Sequence, residues 1–369
     1  MNIVVLACAS RVSGALTIYK QFLTYLPDYT DGNRYYIFVD PSMPQPEIEG
    51  VTYIHEADHS WKRRIWLNNK GITNWLSDND VHADVIVSLQ NTGIKTDCRQ
   101  LIYYHQSIPF YPQKWNPFKK KELTLFLYKY LYPLFVKKTL NKNTDVVVQI
   151  PFSQKGLVKR FGLEYERVHV LFPDVEKINA DKVLPYPFQN GTYNIVYPSI
   201  PEPYKQHKTL VKAVFEVKMR NPELGNRLRL HFTFKESDYP ALSEDVNKNG
   251  LSEQVDFMGR VPHDELLKMY KSSTFFCFPS TIETIGLPLL EAAAFGLPIL
   301  AADVEYAREV LDDYDGVTFL PPTEPSQWAN AIEKLCDKEH RFTTLTPKPS
   351  SWPKFFELML NGRNTQIPD

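Results

Sequence analysis

The chain reads as an α/β protein made of two successive doubly wound, parallel-sheet domains, and three observations carry that reading. Short apolar runs alternate with helix-patterned stretches, the runs fall into two sets, and a proline-rich stretch without periodicity separates the sets. Runs that are apolar throughout suit strands buried on both faces, and strand–helix alternation suits parallel sheets covered by helices. At 369 residues the chain exceeds one ordinary core and fits two domains of roughly 150 to 200 residues each.

The first set of predicted strands lies at 3–7, 35–39, 85–89, 101–104 and 146–149. The opening MNIVVLACAS lacks a basic leader, and its short apolar run ends at Arg11, so it is assigned to the first buried strand rather than to an export signal. The second set lies at 194–197, 228–233 and 275–278, with 172–191 (FPDVEKINADKVLPYPFQNG) between them as interdomain linker. The expected division is a first domain over 1–172, a linker over 173–191 and a second domain over 192–351. After TPKPSSWP, residues 352–360 have the pattern of a short amphipathic helix, which assigns 352–369 to a closing segment. Two such domains in succession imply a deep cleft, with ligands at the carboxyl ends of the strands.

Forty-two Lys and Arg against 43 Asp and Glu leave a formal charge of −1, so no global field draws nucleic acid. Cys8, Cys98, Cys277 and Cys336 have no paired spacing, which argues against a zinc site or disulfide framework and for a reducing, cytoplasmic setting. No run reaches the roughly 18 to 20 apolar residues needed to span a bilayer.

The most informative segment is 278–298, FPSTIETIGLPLLEAAAFGLP. An apolar strand leads to Gly286 and Pro288, and LLEAAAF is strongly helix-forming, so Glu283 is expected on the loop and Glu291 on the first helical turns. The backbone N–H groups of Thr284, Ile285, Gly286 and Leu287, with the positive end of the helix dipole, would form an anion site. Carboxylates flanking a phosphate cannot favour it, so both glutamates read as acceptors for neutral hydroxyls, such as those of a ribose and a hexose.

This segment resembles the glutamate-seven-residues-glutamate signature of family 4 retaining glycosyltransferases, whose fold is GT-B, two Rossmann-like domains facing a cleft. Proline-serine before Glu283, glycine-leucine-proline after it and the glycine-leucine-proline closing the helix fall in register. One departure is Ile285, where the family usually has an aromatic residue. The resemblance implies that Glu283 contacts the transferred sugar and Glu291 the ribose. It also implies that the final helix crosses back onto the first domain.

Further residues follow from the same resemblance. His105 in YYHQS matches a histidine beside the reaction centre. In YPSIPEPYKQHKTLVKA, Lys205 stands where the family's phosphate-binding lysine is expected, but Ser199 stands where an arginine is usual. Lys208 or Arg260 would then supply the missing charge, or donor affinity would be lower. In VDFMGRVPHDELLKMYKSS, Gly259 would let the backbone approach the base, and Arg260 would stack on it or reach the phosphates. In ASRVSGALTIYKQFL, Gly14 matches one glycine of a usual pair and Ser13 replaces the other, which makes Ser13, Gly14 and Ala15 donor-loop candidates.

Residues 115–140 mix aromatic side chains with six lysines and a single acid, Glu122. Such a segment suits either a helix lying on an anionic leaflet or one packed by its aromatic face with lysines in water. Asp78-Asn79-Asp80 and Asp312, Asp313 and Asp315 read as solvated loops, and no catalytic metal or cofactor is expected beyond the donor itself.

The expected activity is therefore transfer of a hexosyl group from a UDP- or GDP-linked sugar to a glycan or lipid-linked glycan acceptor, with retention at the anomeric carbon. The expected setting is bacterial surface polysaccharide synthesis, in the cytoplasm at the inner face of the membrane, with peripheral contact through 115–140. His105, Glu283 and Lys205 carry the chemistry in this reading. Its alternatives are a nucleotide-sugar epimerase and a catalytically silent sugar-nucleotide-binding subunit of a membrane assembly complex.

Overall fold

The computed structural model describes every residue except Val12, 337–340, 347 and 363–369. The Ser13 side chain and the last part of the closing segment, 363–369, thus lie outside the described residues. The chain forms two compact units, Met1–Asp174 with Lys348–Asp369, and Val175–Pro347.

The first unit contains β1 (Asn2–Leu6), β2 (Arg34–Val39), β3 (Val51–His55), β4 (Val85–Ser88), β5 (Arg99–Tyr103), β6 (Thr144–Val148) and β7 (Val168–Val170). They pair in parallel in the order β3-β2-β1-β4-β5-β6-β7. Because side chains alternate along a strand, the sheet sorts its residues onto two cores. Ile3 and Val5 pack with Tyr19 and Phe22 of the helix Ser13–Tyr25 and with Trp352, Phe355 and Phe356. Val4, Leu6 and Ile86 take the opposite face with Leu67 and Ile72, and Val146 and Val148 do so with Tyr132 and Val136.

The chain's closing helix, Trp352–Asn361, belongs to this first unit although 173 residues of the second intervene. Phe356 stacks on Tyr29 with ring centroids 4.3 Å apart and on Phe22 at 5.2 Å, while Trp352 stacks on Tyr103 at 5.8 Å. Arg99 donates to the carbonyls of Leu358 and Met359, satisfying groups that a helix end leaves unpaired.

Residues 115–140 form two helices rather than one, Lys120–Tyr130 and Tyr132–Thr139. Pro133 explains the break, since it lacks an N–H and its ring crowds the carbonyl four residues earlier. Lys129, expected among the solvated lysines, is buried instead and donates to the carbonyls of Tyr111 and Gln113. Burial holds its ammonium below the usual lysine range.

The second unit contains β8 (Tyr193–Tyr197), β9 (Leu228–Phe232), β10 (Val255–Phe257), β11 (Phe275–Phe278), β12 (Ile299–Ala302) and β13 (Val317–Leu320). They pair in parallel as β10-β9-β8-β11-β12-β13. The stretch expected as a free linker is clustered with this unit from Val175 onward. Its aromatic residues anchor it: the Tyr186 N–H donates to Ser272 Oγ at 2.7 Å, and Phe188 stacks on His231 at 4.7 Å.

Each sheet reverses its strand order once, between β1 and β4 and between β8 and β11. Chain segments leaving the carboxyl ends diverge there and open a crevice, so these two points are where doubly wound sheets take ligands.

Phe356→Ala is expected to destabilise the chain by about 3 to 5 kcal/mol, because it removes a fully buried ring with two stacked neighbours. Urea unfolding followed by intrinsic fluorescence measures it, and a loss below about 1 kcal/mol would show that the helix is not part of the first unit's core.

Candidate functional site

At the β8–β11 reversal two loops are fastened together. After β8, a short 3-10 turn over Pro203–Lys205 ends at Gln206, whose φ of +54° is unusual for a residue with a side chain. After β11, the loop ends at Gly286 with φ +73°, and the helix Leu287–Ala294 begins, with Pro288 in its first turn. The Tyr204 carbonyl accepts from the Thr281 N–H at 2.9 Å and from Thr281 Oγ1 at 3.1 Å. Tyr197 OH donates to the Lys205 carbonyl at 2.7 Å, and Tyr306 OH donates to the Ser280 carbonyl at 2.7 Å.

Gly286 is required by both conformation and space. A Cβ there would meet Leu289 Cδ1 at 3.3 Å and Tyr306 Cε2 at 3.4 Å, at a φ that L-residues rarely adopt. Ile285, where the resemblance expects an aromatic ring, is buried beside it. The helix therefore starts abruptly, and its first N–H groups have no intrahelical partner.

This fastening brings Lys205 and Glu283 together across 78 positions of sequence. Lys205 Nζ donates to Glu283 Oε1 and lies 5.5 Å from the centre of the Phe278 ring. Both side chains are largely shielded, at 10% and 18% exposure. A charge pair in such surroundings is felt more strongly than one in open water. Ammonium and unpaired helix N–H groups suit an anion, while the free carboxylate oxygen suits a hydroxyl donor.

Glu291, about one turn along the helix, is held at both oxygens. Tyr270 OH donates to Oε2 at 3.1 Å, and His263 Nε2 lies 3.1 Å from Oε1. That contact, aided by Glu176 with an oxygen 3.7 Å from Nδ1, raises the His263 pKa above the usual imidazole value. Gly259, at φ +74° just after β10, donates its N–H to the Phe234 carbonyl, and Arg260 beside it is exposed.

Ser199 is not idle where the resemblance expects arginine: its Oγ lies 2.7 Å from His207 Nε2. His207 is enclosed by Tyr197, Phe232 and Phe234, and burial with the nearby Lys205 ammonium pulls its pKa down to about 3. A neutral imidazole thus supplies no replacement cation. Lys208, the other named source, is paired with Asp245 at 2.6 Å.

In the first unit, His105 follows β5 at the carboxyl edge, near the β1–β4 reversal. Its N–H donates to Asn91 Oδ1 at 2.5 Å, and its Nε2 faces Asn91 Nδ2 at 3.3 Å, which assigns the ring proton to Nδ1. Nδ1 is buried without a hydrogen-bond partner among the described residues, and burial lowers the pKa to about 4. Asn91 reaches this position by adopting φ +67°. Gly14 lies in the exposed first turn of Ser13–Tyr25 with open space around it.

Sequence reading named Glu291, Ser199 and His105 but not their partners, Tyr270 and His263 for Glu291, His207 for Ser199 and Asn91 for His105. Tyr270 and His263 come from a separate helix, 21 and 28 positions from Glu291, and only the fold brings them close.

Comparison with known proteins follows the same division. Residues 185–347 match the family model described as Glycosyl transferases group 1. A D-inositol 3-phosphate glycosyltransferase of Nocardia farcinica (strain IFM 10152) is 31% identical over 216 residues, 56% of this chain and 48% of that protein. One of the same description from Stackebrandtia nassauensis is 32% identical over 139 residues, 36% of this chain and 31% of that protein. The chain thus spans between about a third and a half of the curated relatives it matches.

Among solved structures, WaaG, a glycosyltransferase involved in lipopolysaccharide biosynthesis, aligns with TM-score 0.63 at 15% identity, covering 98% of this chain and all of that one. The Anabaena protein HepE in complex with UDP and glucose aligns with TM-score 0.60 at 16% identity, covering 97% and 95%. The architecture of two Rossmann-like units is that of the GT-B fold.

Buried neutral histidines make the chain acid-sensitive. The unfolded state takes up protons below about pH 6.5, whereas folded His105 and His207 do not until about pH 4 and 3, so their contribution is whole above pH 6.5 and lost as pH falls. Each site should cost about 1.4 kcal/mol per pH unit over that window. Urea midpoints from pH 7.5 to 4.5 test this, and His207→Phe should flatten the slope; an unchanged slope would mean that His207 is protonated in the fold.

Proposed function

We propose that the chain is a retaining glycosyltransferase that moves a hexosyl group from a UDP- or GDP-linked sugar to a hydroxyl of a glycan or lipid-linked glycan, in bacterial surface polysaccharide synthesis. The observation that carries the reading is the Lys205–Glu283 pair beside the N-terminus of Leu287–Ala294 at the strand-order reversal, with Glu291 on the same helix. The family-model match over 185–347 supports it, and so do the described activities of the relatives and fold neighbours.

In this proposal the diphosphate lies on the helix N-terminus with Lys205, Glu283 takes hydroxyls of the sugar, and Glu291 takes those of the ribose. The bond between the anomeric carbon and the phosphate oxygen breaks, and its electron pair stays on the leaving diphosphate. Lys205 and the helix N–H groups stabilise that growing charge. The acceptor oxygen bonds the anomeric carbon on the same face, and its proton passes to the leaving phosphate. No protein nucleophile is required. His105 stays a first-unit candidate in this proposal, with a neutral ring whose Nδ1 is buried and has no hydrogen-bond partner among the described residues.

His263 and Tyr270 give Glu291 a competitor for the ribose. Protonated His263 holds the carboxylate more tightly, so nucleotide affinity should fall as pH drops through its raised pKa. His263→Asn should leave binding several-fold less sensitive to pH between about 6 and 8. Calorimetric titration with UDP reads this out, and identical pH profiles would remove Glu291 from the ribose site.

The function itself is tested on a panel of UDP- and GDP-sugars, beginning with UDP-glucose because HepE was solved with UDP and glucose. Slow hydrolysis supports transfer; isomerised sugar would indicate an epimerase, and binding without turnover a silent subunit. Glu291→Ala should mainly weaken nucleotide binding, by about 10- to 100-fold, whereas Glu283→Ala should mainly lower kcat by a similar factor. Near-wild-type kinetics in both variants would end the proposal.

A further inference from the structure

Of the thirteen exposed large apolar side chains among the described residues, eight fall between Trp61 and Leu134, all in the first unit. They are not scattered. Leu123, Leu127, Leu131 and Leu134 recur at intervals of four, four and three, which keeps them on one side across the break at Pro133. Their inward counterparts Leu125, Tyr132 and Val136 fill the core, so the leucine stripe is surplus to packing. Phe118 precedes the stripe with 95% of its surface exposed.

A second exposed group comes from a stretch that sequence reading passed over, the helix Trp61–Trp66. Trp61, Ile65 and Trp66 are each 42% to 50% exposed. Arg63 lies over the Trp66 ring at 4.2 Å and Arg64 over the Trp61 ring at 5.3 Å. Gly71 is what gives Trp66 its place, since a Cβ there would come within 2.5 Å of the indole. Leu67 and Ile72, which continue this helix, pack on the same sheet face that carries the lysine-rich helices. Trp61 meets Tyr132 edge-on at 6.3 Å, so this helix packs beside the second lysine-rich helix.

Charge completes the pattern. Lys119, Lys120 and Lys121 stand exposed at one end of the stripe and Lys137 and Lys138 at the other, with Lys62 beside Trp61. The nearby acid Glu122 is engaged by Lys119 at 3.2 Å and by the Asn116 N–H.

We propose that these two helices form one bipartite surface that binds an anionic lipid bilayer, with leucines and tryptophans at the acyl boundary and the cations among the headgroups. Cations at both ends of an apolar stripe, with exposed tryptophans on the neighbouring helix, match the layered chemistry of a leaflet. The inference touches the proposed function only in that a lipid-linked acceptor would lie at such a surface. Its test is independent of nucleotide binding.

Vesicle flotation tests it with the full chain. Binding is expected to phosphatidylglycerol-containing vesicles, to be weak to phosphatidylcholine alone, and to fall as salt rises. Leu127→Ser with Leu131→Ser, Trp61→Ser with Trp66→Ser, and Lys120→Glu with Lys121→Glu should each weaken partitioning by about tenfold. UDP binding measured on the same samples should be unchanged, which separates this surface from the proposed donor site. Absence of vesicle binding would overturn the proposal, as would indifference of binding to either the leucine or the tryptophan pair. A dimer in solution that these substitutions dissolve would overturn it in favour of a second copy of the chain.

Discussion

Gly286 sets the constraint on which the proposed donor site rests. The loop after β11 must turn back on itself within one residue if the following helix is to start at the carboxyl edge rather than beyond it. Only a left-handed backbone does this, and the contacts of an imagined Cβ with Leu289 and Tyr306 leave little room for anything but glycine. Everything downstream inherits that geometry: the orphan N–H groups at Leu287, the placement of Glu283 on the loop, and the placement of Glu291 along the helix. The second loop is conformed to match, since Gln206 adopts a left-handed conformation that brings Lys205 against Glu283. Gln206, beside Lys205, is a side-chain-bearing residue held at positive φ, the kind of stored cost that functional sites carry.

Much of this was readable in the chain because parallel strands buried on both faces leave continuous apolar runs. Residues 3–7, 85–89 and 275–278 lie within a residue or so of β1, β4 and β11 for that reason. β3 was not singled out, because as an edge strand it is only half buried and VTYIH lacks a continuous apolar signal. β7, with three residues, is too short to stand out, and β12 and β13 follow the motif so closely that its helix dominated the reading. The glutamates were legible because glycine, proline and alanine punctuate them locally. Their partners were not, since Tyr270 and His263 reach Glu291 from 21 and 28 positions away and depend on how a separate helix packs.

The 115–140 segment shows a different limit. Composition left two readings open, a helix on an anionic leaflet or one packed by its aromatic face with lysines in water, and neither foresaw a break at Pro133. The break allowed Lys129 to turn inward against two carbonyls while the leucines stayed outside. An aliphatic residue outside and a lysine inside invert the usual burial order. The inversion is affordable because Lys129 finds hydrogen-bond acceptors and its burial lowers the cost of losing charge.

The exchange of arginine for Ser199 bears on where donor affinity would come from. His207 beside Ser199 is a neutral group, Lys208 is committed to Asp245, and Arg260 is exposed, which leaves Lys205 as the one shielded cation at this point among the described residues. A helix N-terminus adds the equivalent of roughly half a charge. One and a half positive charges are few for a diphosphate, and Lys205 already answers to Glu283. Recognition in the proposed complex must therefore lean on the nucleoside end, where Glu291 is pre-oriented by Tyr270. Such a site would hold its nucleotide by hydroxyl and base contacts that salt screens weakly, and would reserve its limited positive charge for the leaving group, where charge grows only as the bond breaks.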